Sequence, residues 1–336
     1  MHRPITLKIP VYIKSYASVG GYEESRGPLG DLFDFCDPSD LFGMDTWERA
    51  EGEMSRIALN IALKKSGITP SEISLLAAGD LQNQCVASSG GLFSFGIPYL
   101  GLYGACSTCT EALLIASSLV SIDGGYPYAA AVTSSHNSAA ERQFRTPLEY
   151  GGQRSPTAQW TTTAAGAFIL SREPSAIKIS AVMPGKIIDG YTSDATNMGA
   201  AMALSACESI LNFFDKTGED PSCYDLILTG DLGKVGTSIL HTLLCEKSDL
   251  GEAIVKRHKD CGCLIFGEGQ DYHAGGSGCG CSAAVLASLF LPEMEKGNIK
   301  KMLLLSTGAL MSSSSIFQGD HIMGITPLIK LELEST

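Results

Sequence analysis

One order of segments occurs twice in this chain. Gly104 to Thr133 runs as a glycine-rich loop, a cysteine, an apolar helix, glycines and a strand, and Gly276 to Ser306 repeats that order. Such repetition is an argument about fold and says nothing yet about chemistry. The flanking segments agree with it. Pro10 to Ile13 reads as a strand, Gly20 to Pro38 as a loop rich in Gly, Pro and Asp, and Trp47 to Lys65 as an amphipathic helix with Met54, Ile57, Ala58, Ile61 and Ala62 on one face. Gly67 and Pro70 end that helix, and Leu75 to Ala78 forms a short buried strand. Strands at Ala129 to Thr133 and Trp160 to Leu170 follow. After Arg172 to Ser175 the alternation restarts: helix Ala200 to Phe214, strand Leu226 to Thr229, helix Ile239 to Cys245, strand Leu264 to Phe266. Alternation of this kind predicts a layered α/β fold in two halves, 1–175 and 176–336.

Cys106 lies between the Gly-rich stretch Gly101 to Gly104 and the helical segment Cys109 to Val120, at a strand-to-helix turn. Thr108 and Glu111 have the spacing of a capping box. A thiol there feels the positive end of the helix dipole, which lowers its pKa and favours thiolate. The competing reading is a small buried hydrophobe, the commonest fate of a cysteine. His273-Ala274-Gly275-Gly276-Ser277-Gly278 places a histidine before a glycine turn, and Ser306-Thr307-Gly308-Ala309-Leu310 follows an apolar strand, with backbone N–H groups available to a developing oxyanion.

A nucleophilic cysteine at a helix start, a histidine opening a glycine-rich loop and a terminal glycine turn resemble the thiolase and ketoacyl synthase superfamily. Longer strings carry a narrower resemblance: Gly79-Asp80-Leu81-Gln82-Asn83-Gln84, Tyr103-Gly104-Ala105-Cys106-Ser107-Thr108, Thr133-Ser134-Ser135-His136-Asn137, Ala140-Glu141-Arg142-Gln143-Phe144-Arg145 and Thr229-Gly230-Asp231-Leu232-Gly233, with Asp271 to Cys281. The chain is similar in these to the stage V sporulation protein AD family, thiolase-like proteins of the spore dipicolinic acid channel system. The resemblance implies the duplicated five-layer α-β-α-β-α architecture. It also implies a homodimer, association with other proteins of that channel at the inner spore membrane on its interior side, and a role in moving dipicolinic acid into or out of the spore.

Carried onto this chain, the superfamily's condensing site would use Cys106 to hold an acyl group, His273 as base or oxyanion partner, and the N–H groups of Cys106, Gly308 and Ala309 as the oxyanion hole. Asp231 stands where condensing enzymes place His or Asn, and an ionised carboxylate there would repel an enolate. Ser306 stands where thiolases carry a second cysteine, and a serine is a much weaker acid. Two readings follow: a ketoacyl synthase-like acyltransferase using Cys106, Asp231 and His273, or a binding protein that kept the pocket. The departures favour binding. The implied ligand is dipicolinic acid as its calcium chelate, with Cys106, His136, Arg142, Arg145 and His273 expected around one pocket and an arginine pairing with a carboxylate. His136 reads more readily as a buried structural histidine than as a direct ligand, and Ser138 to Thr157 equally as a solvated loop or as a lid or dimer-contact loop.

Composition narrows the field. A net charge of −12 over 336 residues argues against nonspecific nucleic-acid binding and against a polybasic membrane anchor. No apolar run reaches the roughly 20 residues of a membrane span, and the chain opens without a secretory signal. With that context and an odd count of eleven cysteines, reduced thiols are expected, and the pairs Cys261/Cys263 and Cys279/Cys281 read as core packing rather than zinc knuckles. No cofactor is implied.

Overall fold

The computed structural model describes residues 3–144 and 154–334. Its centre is a mixed sheet of eleven strands. Ten form one path: β1 Ile5–Gly20, β2 Leu75–Gly79, β3 Tyr99–Gly101, β4 Tyr128–Ser135, β5 Ala164–Ser171, β6 Ile177–Met183, β7 Leu226–Thr229, β8 His258–Asp260, β9 Lys301–Leu305 and β10 Leu328–Leu333. Their spatial order is β8-β7-β9-β10-β6-β1-β5-β4-β2-β3. Read outward from the antiparallel β1/β6 pair, the first half runs 1-5-4-2-3 and the second 6-10-9-7-8, which is the same order with five added to each number. The pairing senses repeat too. β1/β5 and β5/β4 are antiparallel while β4/β2 and β2/β3 are parallel, and β6/β10, β10/β9, β9/β7 and β7/β8 match them in turn.

Helices fill the spaces either side of the strands. α1 (Trp47–Ser66) and α2 (Val86–Leu92) belong to the first half, α5 (Met198–Thr217) and α6 (Gly233–Lys247) to the second, and α3 (Thr108–Val120) and α7 (Cys279–Val285) to the middle; α4 is Asn137–Phe144. Strand alternation sorts the side chains into three cores. Leu76, Ala78, Ala130 and Val132 face Ala50, Met54, Ala58 and Ala62 of α1. Ile227, Leu303 and Leu305 face Met202, Ala206, Ile210 and Phe213 of α5. The alternate residues, Ala77, Ala129, Ala131, Leu226, Leu228 and Leu304, meet Ala112, Leu113 and Ala116 of α3 and Cys281 and Ala283 of α7. The resulting order is helix, sheet, helix, sheet, helix. Gly166 of β5 lets α7 approach closely, since a Cβ there would lie 2.6 Å from that of Ala283.

Local signals set several boundaries. Thr46 caps α1 by accepting from the Arg49 N–H at 3.4 Å, and Gly67 ends the helix at φ 71°, a conformation a side chain resists. Three expectations need correction. The first strand runs sixteen residues rather than four. Thr108 is the first helical residue of α3, not its cap: its hydroxyl donates to the Ala105 carbonyl at 2.7 Å and accepts from Gly104 N–H at 3.0 Å, while Glu111 takes the Ser107 hydroxyl at 2.7 Å. Leu264 to Phe266 is not a strand. Asp260 accepts from the Cys263 N–H at 3.2 Å and winds Cys261–Leu264 into a helical turn, so the strand is the preceding His258–Asp260.

Among the described residues no helix is long and apolar enough to cross a membrane. The middle layer should be the most sensitive to truncation. Leu113→Ala, at a fully buried position of α3, is expected to cost about 2–5 kcal/mol, read as a lowered urea midpoint at unchanged slope. A loss below about 0.5 kcal/mol would place α3 outside the core.

Candidate functional site

The carboxyl ends of β2, β4, β7 and β9 converge beside the first turns of α3 and α7, where open α/β sheets place their sites. Cys106 enters from a tight turn. Ala105 is held at φ 52°, unusual for a residue with a side chain, and Ser107 Oγ lies 2.7 Å from both the Gly104 carbonyl and the Glu111 carboxyl, sharing one proton between them. Gly308 packs directly on that carbonyl, leaving no room for a Cβ.

The residue facing Cys106 is Asp231, carried on the turn after β7 and fully buried. One carboxylate oxygen accepts from Thr307 Oγ1 at 2.8 Å; the other accepts from Gly278 N–H at 2.8 Å and Ser277 Oγ at 3.1 Å. Ser277 Oγ lies 3.7 Å from Cys106 Sγ and links it to the Asp231 carboxyl. Burial pushes the Asp231 carboxyl up to about 7 against the pull of these donors, with Asp260 adding to the rise. Burial and the Asp231 charge push the Cys106 thiol well above its ordinary value. The expected thiolate is therefore overturned: a dipole effect of about 0.5–2 kcal/mol does not offset the several kcal/mol of burying an ion.

Cys106 lines a cavity of about 40 Å³ with Leu81, Tyr103, Glu141, Thr161, Met198, Ser277, Ala309 and Met311 among its walls. No lysine, arginine or histidine is among the described lining residues. A cavity of that size takes water, whereas roughly 150 Å³ is needed for a benzene-sized ring. Leu81 reaches the cavity from the loop after β2. Below that loop Asp80 accepts from Ser88 N–H and Oγ at 2.8 and 2.6 Å, and Glu51 accepts from Gln82 Nε2 at 2.7 Å and Ser134 Oγ at 3.1 Å. Above it Gln143 of α4 donates to the Leu81 carbonyl at 3.0 Å and accepts from Asn83 N–H at 2.9 Å.

The remaining candidates do not gather as expected around one pocket. His273 lines a separate hollow with Lys234 and Tyr272. His136 is buried, its Nε2 bonded to the Asp40 carbonyl at 2.9 Å, and burial lowers its pKa, so it is a neutral structural histidine. Arg142 lies at the surface, paired with Glu48 and 5.5 Å above the Trp47 ring. Arg145 falls outside the described residues. Ala309 lines the cavity, whereas Ser306 is spent inside the core, bonded to Thr110 and Ser282. Ser277 and Thr307, the two hydroxyls on Asp231, were missed because both sit in glycine strings in which the histidine and the glycines draw attention.

The family model described as stage V sporulation protein AD (SpoVAD) matches residues 1–332. The chain is 41% identical over 314 residues to stage V sporulation protein AD of Bacillus subtilis (strain 168), covering 93% of this chain and 91% of that protein. Among solved structures, 3-oxoacyl-(acyl-carrier-protein) synthase III of Aquifex aeolicus VF5 aligns with a TM-score of 0.58 at 13% identity, over 95% of this chain and 99% of that one. Cerulenin-bound OleA of Xanthomonas campestris aligns with a TM-score of 0.59 at 14% identity, over 97% and 100%. These likenesses establish a thiolase-like fold.

Two outcomes follow from the site's electrostatics. Iodoacetamide at neutral pH should label exposed Cys223 and Cys245 well before Cys106; mass spectrometry that finds Cys106 labelled first would contradict a buried, protonated thiol. An unfolded aspartate titrates near ~3.9, while Asp231 titrates at about 7, so the folded state keeps a proton that the unfolded chain has lost. Stability therefore falls as pH rises through that window. Asp231→Asn removes this contribution, and its melting temperature should drop less between pH 5 and pH 8 than that of the parent; parallel profiles would show that Asp231 ionises as an ordinary carboxylate.

Proposed function

The chain belongs to the stage V sporulation protein AD family, and from that premise we propose that it is a binding protein for dipicolinic acid, taken as its calcium chelate, rather than a condensing enzyme. The observation that carries this is Asp231. Carbon–carbon bond formation needs a donor that stabilises a developing enolate. Here the group beside the cysteine is a buried acid already satisfied by Thr307, Ser277 and Gly278. The cavity's charge points to the form of the ligand. With no cation among the described lining residues, nothing there balances a free dianion, whereas a neutral one-to-one chelate needs no balancing charge. Calcium prefers six to eight oxygen ligands, and Glu141, Thr161, Ser277 and the Tyr103 hydroxyl are the oxygens at hand. Entry requires the 40 Å³ cavity to widen, and Met198 and Met311 are the flexible walls that can yield.

A second copy of the chain and the other proteins of the spore channel are the proposed partners, at the interior face of the inner spore membrane. Support for self-association comes from β3, an edge strand that pairs on one side only among the described residues. Around it Tyr99, Leu100, Tyr103 and Phe93 are 40%, 40%, 43% and 80% exposed. One arrangement favours an alternative: Ser277 Oγ links Cys106 to an acid of pKa about 7 that is suited to accept its proton, as acyl transfer would need.

Calorimetric titration separates the readings. Dipicolinate should bind saturably with calcium and at least about tenfold more weakly without it, a difference of about 1.4 kcal/mol, and Glu141→Gln should weaken the calcium-dependent binding by a similar factor. Calcium-independent binding, or an indifferent Glu141→Gln, would contradict the chelate. A thioester adduct on Cys106 after incubation with acyl-coenzyme A would instead establish the acyltransferase.

A further inference from the structure

A second hollow, of about 190 Å³, lies behind the turn that carries Asp231. Its apolar wall is Phe266 and Tyr272, with rings 4.3 Å apart; outside the hollow Trp160 backs Tyr272 at 4.8 Å, with the Arg154 guanidinium 4.7 Å over it. Its polar wall comes from two chain segments. Lys234 is the second residue of α6, and its ammonium makes no ion pair or hydrogen bond among the described residues. His273 is held at φ 47°, two residues after Asp271 at φ 52°. Two side-chain-bearing residues in the left-handed region within three positions mark a loop whose shape the surrounding structure imposes, a feature that clusters at ligand clamps. The His273 ring is a quarter exposed, makes no hydrogen bond among the described residues, and lies 3.9 Å from the Asp271 carboxylate, beyond bonding distance. Cys263 completes the floor; burial and Asp260 push its thiol up to about 12, so it stays neutral and leaves the Lys234 charge available.

We infer that this hollow is a second binding site, for a planar aromatic monocarboxylate whose ring lies against Phe266 and Tyr272 and whose carboxylate is held by Lys234 and His273. The volume exceeds the roughly 150 Å³ that admits a benzene ring, which the Cys106 cavity does not. Two carboxylates, Glu268 and Asp271, also line it. Both are exposed to water, the Asp271 side chain at 95%, so a single anionic group on the inner wall is screened from them, whereas a second carboxylate on the far edge of the ring would meet them directly. The site therefore selects monoanions over dianions. It is linked to the first site through the backbone. Lys234 N–H donates to the Ala274 carbonyl at 2.7 Å, and Gln159 Nε2 bridges the carbonyls of Asp231 and Gly276 at 2.7 Å each, one residue before Ser277.

The test is a titration of the full chain with picolinate, followed by calorimetry and by the emission of Trp160 in a Trp47→Phe background. Saturable binding is expected, weakened about tenfold or more by Lys234→Ala and by His273→Gln and changed less than twofold by Cys106→Ala. Lys234 is exposed, so its variant should keep the parent melting temperature and decides the matter even where a His273 variant fails to fold. Absence of picolinate binding, or binding that is lost in Cys106→Ala and intact in Lys234→Ala, would overturn the second site. The same proteins titrated with dipicolinate and calcium report on the Cys106 cavity separately, so either site can fail while the other stands.

Discussion

One buried carboxylate ties together the parts of the molecule on which everything else at this site depends. Asp231 receives a hydroxyl from the turn after β9, and a hydroxyl and an amide from the loop that opens α7, and through that second hydroxyl it is linked to the thiol that precedes α3. Those partners come from three other points of the chain brought together only because the sheet order repeats. A carboxyl group fits this position because its two oxygens accept all of these bonds. Replacing it by an apolar group would leave Thr307, Ser277 and the Gly278 amide buried without acceptors, at about 1–3 kcal/mol each.

The same arrangement decides the chemistry. A cysteine at a helix start is ordinarily a candidate thiolate, and an acid a few ångströms away is ordinarily ionised. Enclosing both in one small apolar space makes two negative charges too costly, so protons are retained where the sequence alone suggests that they are lost. The helix end is too weak to reverse this. The outcome is a nearly uncharged cavity beside one partly buried acid, Glu141, which suits a neutral metal chelate better than a free dianion and binding better than carbanion chemistry.

How much of this was legible depends on the length scale of each signal. The duplication, the amphipathic α1 and the cysteine turn were readable because periodicity and glycine placement are local. The convergence of Cys106 with Asp231 was expected from the family resemblance, but its electrostatic consequence was not, since burial is a property of the assembled fold. His273 went astray for a conformational reason: left-handed backbone at Asp271 and again at His273 turns the ring into the Lys234 hollow and leaves Ser277, four residues on, to face the thiol. Asp and His enter that region more readily than most side chains, but only in a minority of cases, so the residue type alone does not mark the turn. Arg142 was drawn away by Glu48 and Trp47, from a helix distant in sequence.

The most direct test of the account is a crystal structure grown with calcium and dipicolinate, using the anomalous signal of the metal to locate it. The account predicts a calcium peak about 2.3–2.6 Å from a Glu141 oxygen, with the ring beside Cys106 and the Met198 and Met311 side chains displaced. A metal-free ligand, a calcium peak remote from Glu141, or a Cys106 carrying an acyl group would contradict it.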